Sequence, residues 1–147
     1  MTTVAYQTDY LAWTNEQANL LLNGQLSELD LQNLAEEIAE MGQSIRREFF
    51  NRMVILVMHL LKWQFQPAFR SRSWENTIRT QRKELTRLIR HNPSLKSMQT
   101  TEWYQEVWDD AIDDASYETG IPKHDFPSSP IWTVDEALQA GYLPEQP

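Results

Sequence analysis

Met53-Val-Ile-Leu-Val-Met-His-Leu-Leu61 is the longest apolar stretch of the chain, interrupted only by His59. A membrane span needs about 20 apolar residues in a row, so a stretch this short reads as a buried helix. Outward from it, Leu31, Leu34, Ile38, Met41, Ile45, Phe49, Leu56, Leu60 and Trp63 recur at steps of three, four or seven. That period puts them on one stripe of a helix, or of two helices joined near Gly42, running from about Asp30 to Gln66. Pro67 ends it, because proline has no amide hydrogen to continue the ladder. Between Met53 and Leu61 nearly every face is apolar, which predicts a central element surrounded by others.

The flanks supply the surroundings. Tyr10 to Asn23 predicts a first helix, with Gly24 placed to end it in the left-handed conformation that glycine tolerates. Ser73 is expected to cap a helix running to about His91, with Trp74, Ile78, Gln81, Leu85, Leu88 and Ile89 inward. Arg79, Arg82, Lys83, Arg87 and Arg90 occupy its opposite side. Asn92-Pro93 opens the next helix, which starts fully by Glu102. Its inner face is Tyr104, Val107, Trp108, Ala111 and Ala115, and its outer face is Glu102, Glu106, Asp109, Asp110 and Asp113. Gly120-Ile-Pro122 stops it, and the prolines from Pro122 to Trp132 impose an extended segment. Thr133-Val-Asp-Glu136 is a capping box for a last short helix, which Gly141 is expected to close. The expectation is an all-α fold: a helical bundle of four to five main helices with an extended proline-rich C-terminal strap and a short last helix, in one domain over residues 1–147.

Composition supports this and narrows the function. With 41% hydrophobic and 23% charged residues in 147, the chain has the make-up of a globular domain. Cysteine is absent, which excludes disulfides and thiolate-held metals. Met1 to Tyr10 holds neither a basic stretch nor an apolar run, so no signal peptide is expected, and a cytoplasmic location is. Glycines at 24, 42, 120 and 141 leave no glycine-rich phosphate loop. Net charge is −8, unevenly spread: −7 over residues 1–42, +8 over 43–91 and −9 over 92–147. A basic middle lies between two acidic flanks.

Several motifs together resemble a bacterial family catalogued as domain of unknown function 29. They are Tyr10-x-x-Trp13, the segment Leu29 to Ile38, His59-Leu-Leu-Lys-Trp63, Ser73-Trp74-x-x-Thr77-Ile78, Gln81-Arg82, Asn92-Pro-Ser-Leu95, Glu118-Thr-Gly120 and the closing stretch from Phe126-Pro to Leu143-Pro. The resemblance covers nearly the whole chain. It implies an all-helical fold and brings no activity, cofactor or catalytic residue with it.

Four groups of residues are candidates for chemistry. The corner formed by Trp63, Arg70, Arg72 and Trp74, with Gln64, Gln66, Thr77, Gln81 and Arg82, combines indole rings with guanidinium planes that stack on them. It reads as a lock between two helices or as a recognition surface, since Trp and Arg are enriched in binding hot spots. The basic stripe Arg79, Arg82, Lys83, Arg87 and Arg90 suits an acidic protein partner or phosphates, or else a face paired with the acidic flanks of its own chain. Glu36-Glu37-x-x-Glu40 and Asp109-Asp110-x-x-Asp113-Asp114 place carboxylates one turn apart, and Glu37, Glu40, Asp110 and Asp113 would hold Mg²⁺ or Mn²⁺ if they converged. This resembles the acidic pairs of all-helical nucleotide pyrophosphohydrolases; the plain reading is two solvated faces. His59 is a candidate base, or a buried imidazole bonded to a neighbour.

The leading expectation is therefore a non-enzymatic protein-binding or regulatory module with a protein partner or a second copy of itself, no cofactor and no membrane. The alternative is a metal-dependent nucleotide or phosphoester hydrolase on the acidic clusters. Nucleic-acid binding through the basic helix comes third, because the chain is acidic and carries no recognised nucleic-acid motif.

Overall fold

In a computed structural model, which describes residues 5–145, the chain is all-α. Helix α1 spans Tyr10–Leu22, α2 Leu31–Phe65, α3 Arg72–His91, α4 Thr101–Thr119 and α5 Val134–Leu138. Short 3-10 turns at Leu26–Glu28, Pro67–Phe69, Pro93–Met98 and Lys123–Asp125 join them. Helix α2 is a single element of 35 residues that passes through Gly42 unbroken, which settles the continuity that periodicity left open. Contacts divide the chain into two compact units, the boundary falling inside α2 between Ile45 and Arg46.

The first unit is held together by polar tethers more than by a core. Its buried side chains on α1 are Trp13, Gln17 and Leu20. The Trp13 indole Nε1–H donates to Asp30 Oδ2 at 3.0 Å, and the Asp30 backbone N–H donates to Gln17 Oε1 at 2.8 Å. Asp9 caps α1 by accepting from the Ala12 N–H at 3.0 Å. Gly24, at φ 71°, makes the left-handed turn after the helix.

The second unit has the large core. Phe49, Met53, Leu56, Val57, Leu60 and Leu61 of α2 are all fully buried, as the apolar run predicts. Ile78 and Leu85 of α3, and Val107, Trp108, Ala111 and Ala115 of α4, close over them. The flanking helices are also pinned at their edges: Arg52 donates to Gln81 of α3 at 3.1 Å, Phe49 stacks on Trp103 of α4 at 5.3 Å, and Lys62 pairs with Glu118 at 3.0 Å. The strap after α4 buries Phe126 and Trp132, which pack edge-on against Phe65 and Trp108. Its path is fixed by the Trp108 indole N–H, which donates to the Pro127 carbonyl at 2.7 Å.

Two boundaries differ from expectation. The cap of α3 is Ser71, whose hydroxyl accepts from the Trp74 N–H at 3.2 Å; Ser73 lies inside the first turn, its carbonyl accepting from Thr77. Helix α5 opens with the capping box of Thr133 and Glu136, but stops at Leu138 because Gln139 is extended. Gly141, at φ 81°, shapes the turn beyond it, in which the Tyr142 N–H bonds the Gln139 carbonyl.

Trp108 is both fully buried and the donor that anchors the strap, so Trp108→Ala is expected to lower stability by about 3–5 kcal/mol. Urea unfolding followed by helical circular dichroism measures it; a loss below about 1 kcal/mol would place the strap's anchor elsewhere.

Candidate functional site

The second unit holds a groove of about 740 Å³ between α3 and the C-terminal segment. One wall is the face of α3 that carries Arg72, Glu75, Asn76, Ile78, Arg79, Arg82, Lys83, Thr86, Arg87 and Arg90. The other is Leu138, Ala140, Gly141 and Leu143, brought there because α5 packs on α3. Six cations thus line one groove with a single acid, Glu75, and an apolar floor that includes Ile78 at 2% exposure. Cations at steps of three, four and seven project from one side of a helix, so the sequence itself concentrates them.

The ion pairs of the described residues leave most of that charge uncompensated. Arg87 pairs with Glu84 at 3.5 Å, while Arg72, Arg79, Lys83 and Arg90 have no ion pair among the described residues. The acidic flanks do not neutralise the stripe within the second unit: Glu118 pairs with Lys62, and Asp113 with Lys123 at 2.8 Å. Positive potential focused by a concave, partly apolar surface attracts anions.

Arg82 departs from the exposed position expected of the stripe. It is only 6% exposed, its Nε–H donates to the Ala137 carbonyl at 2.8 Å, and one of its terminal nitrogens is buried with no partner. Desolvation holds its pKa below the ordinary arginine value, with Tyr142 acting weakly against the shift. The cause of the burial is α5, which gives α3 a second neighbour that periodicity does not reveal.

The other arginine–tryptophan candidates lie at the corner where α2 turns into α3. Arg70 Nε–H donates to the Trp63 carbonyl at 2.7 Å, and its guanidinium lies 4.9 Å from the Trp63 ring centre. Lys62 lies 4.7 Å from the Trp74 ring centre. These contacts tie the chain reversal together. The candidate binding set therefore separates: Trp63, Arg70 and Trp74 form the corner, and Arg72, Arg79, Arg82 and Lys83 line the groove, joined there by Arg87 and Arg90.

The acidic candidates are occupied differently. Glu37 accepts hydrogen bonds from Tyr6 and from Tyr10, which hold its carboxyl below its ordinary pKa and push Tyr6 up to about 12. Glu40 is exposed on α2; Asp110 and Asp113 are exposed on α4. Among the described residues no group of three or more His, Asp and Glu side chains is placed to hold a metal ion. No helix of the described residues is long and apolar enough to cross a membrane.

His59 bonds within its own helix, its Nδ1 lying 2.9 Å from the Ile55 carbonyl. Burial pushes its pKa below the ordinary value; the Ile55 carbonyl and Glu118 oppose the shift and Lys62 adds to it.

Compared with known families, residues 5–143 match the family model described as Domain of unknown function DUF29. No curated protein and no solved structure matches the chain.

The depressed pKa of His59 gives a signed pH effect. The unfolded chain takes up this proton near the ordinary value of about 6.5, before the folded one does, so its contribution to stability is present above that pH and lost as pH falls below it. His59→Gln is expected to flatten the decline in unfolding free energy between about pH 7 and pH 5. An unchanged slope in urea titrations at the two pH values would show that the imidazole is not desolvated.

Proposed function

The chain belongs to the family described as Domain of unknown function DUF29, and we propose that it is a non-enzymatic binding module whose α3 groove captures an acidic protein segment. One observation carries this reading: Arg72, Arg79, Lys83 and Arg90 line a groove without ion-pair partners among the described residues, above a floor of Ile78, Leu138 and Leu143. Concentrated like charge raises the energy of the free protein, and an acidic partner removes that repulsion. The apolar floor favours a peptide that pairs Asp or Glu with an aliphatic anchor, because binding sites combine apolar walls with a few placed polar groups. It favours nucleic acid less, since phosphate backbones gain little from aliphatic surface, and the net charge of −8 opposes a long polyanion. A second copy of the chain would supply such a segment, since residues 1–42 carry seven acids and no Lys or Arg. The setting we propose is the cytoplasm, in keeping with a chain that contains no cysteine.

The test is affinity purification of the tagged protein with and without nuclease, repeated with the Arg79→Ala/Lys83→Ala variant. A protein partner that survives nuclease is expected, with affinity reduced about tenfold in the variant and falling with salt. A partner held equally well by the variant would sink the groove assignment, and partners that vanish with nuclease would replace it with nucleic acid. The two substituted side chains are exposed, so unfolding is not expected to confuse the result.

A further inference from the structure

The first unit holds a second concavity, of about 470 Å³, which shares no residue with the α3 groove. Tyr6, Gln17, Glu28, Asp30 and Asn33 line it. Most polar groups here are satisfied by the protein. Asp30 accepts from the Trp13 indole at 3.0 Å and from the Asn33 amide at 2.8 Å, and these bonds hold its pKa low. Two groups are not. Gln17 is 2% exposed, and while its Oε1 accepts the Asp30 N–H, its Nε2 has no acceptor. Glu28 Oε2 is buried with no donor.

A buried carboxylate oxygen without a donor, and a buried amide without an acceptor, each cost free energy unless something supplies the missing bond. Exchanging the two amide atoms of Gln17 does not help, because its Nε2 would then face the Asp30 N–H. Residues 1–42 contain no Lys or Arg side chain to serve Glu28 as a cationic donor. One species that meets both demands is a donor cation for Glu28 with a neighbouring oxygen for Gln17. An aromatic wall at Tyr6 suits an organic cation, and the described residues offer no group of three carboxylates and imidazoles for a metal ion.

We propose that this pocket binds a small organic cation, a primary ammonium or guanidinium group bearing an adjacent neutral oxygen acceptor. The cation donates to Glu28 Oε2, and the oxygen accepts from Gln17 Nε2. An arginine or lysine residue with its own carbonyl has this chemistry, as does a free amino-amide.

The test is an NMR titration of the full chain, following the Gln17 side-chain amide and the Trp13 indole. The probe is Nα-acetyl-argininamide (argininamide below); Nα-acetyl-citrullinamide (citrullinamide below) is its neutral isostere, and sodium chloride is the ionic-strength control. A saturable shift of the Gln17 amide is expected with argininamide at about 1 mM, with citrullinamide about tenfold weaker. Glu28→Gln is expected to weaken argininamide by about as much while the Trp13 indole stays at its folded position. Equal binding of the two probes, or shifts matched by sodium chloride, would overturn the proposal. So would a structure with argininamide present in which one water alone bridges Gln17 and Glu28. The probe comparison uses the unaltered protein, so it decides the matter even if Glu28→Gln fails to fold.

Discussion

A helix that is apolar on nearly every side cannot stand in water. Between Phe49 and Leu61 α2 buries Phe49, Met53, Leu56, Val57, Leu60 and Leu61 completely and Val54 and Met58 to 7% exposure, a surface that wraps more than half of the helix, and only neighbours on several sides remove that much apolar surface from solvent. The second unit follows from this constraint. Helices α3 and α4 supply Ile78, Leu85, Val107 and Trp108, and the strap supplies Phe126 and Trp132 where two helices leave gaps. The strap can run over the core without regular structure because the Trp108 indole bonds the Pro127 carbonyl, and the Ser116 hydroxyl bonds the Ile121 carbonyl at 2.7 Å. An irregular segment held against an apolar core needs its backbone groups satisfied in this way.

The groove is a by-product of the same closure. Once the strap has covered Trp108, α5 lies against α3, and the residues after it pass beside the arginine face. Arg82 is caught beneath them. It keeps one strong bond to the Ala137 carbonyl and leaves a terminal nitrogen unpaired. A methionine of similar length would fill that space without the desolvation cost, since replacing a buried charge by an apolar side chain is often neutral or stabilising. The arginine's presence therefore reflects more than packing: its bond fixes α5, and its charge adds to the groove.

Most of the fold was legible from period alone, and the exceptions have physical causes. The stripe from Leu31 to Trp63 identified α2, and Pro67, Gly120 and the Thr133 capping box marked real boundaries. Gly42 could not be read, because one glycine in a strongly amphipathic helix weakens it without ending it. Ser71 and Ser73 are both good caps two residues apart, and only the bond to the Trp74 amide separates them. The arginines of the stripe were legible as a face, but the opposite wall was not, since Leu138, Ala140 and Leu143 have no period linking them to α3. The pocket at Gln17 and Glu28 left no pattern at all: an unsatisfied atom is a property of packing in space.

Charge segregation ties these sites to one physical argument. Opposite charges dispersed along a chain neutralise one another through local pairs, as Arg52 and Glu48 do one turn apart. Here residues 1–42 hold no Lys or Arg and residues 43–91 hold eleven against three acids, so local pairs such as Arg52–Glu48 and Arg87–Glu84 reach only a few of them. The consequence appears in both units as the same kind of incompleteness. In one, a carboxylate oxygen is buried with no donor; in the other, cations line a groove with no acid beside most of them. Each arrangement is less stable alone than the paired alternative, and each becomes favourable when a group of opposite charge arrives from outside. A sequence that separates its charges in this way gives up local stability in both units.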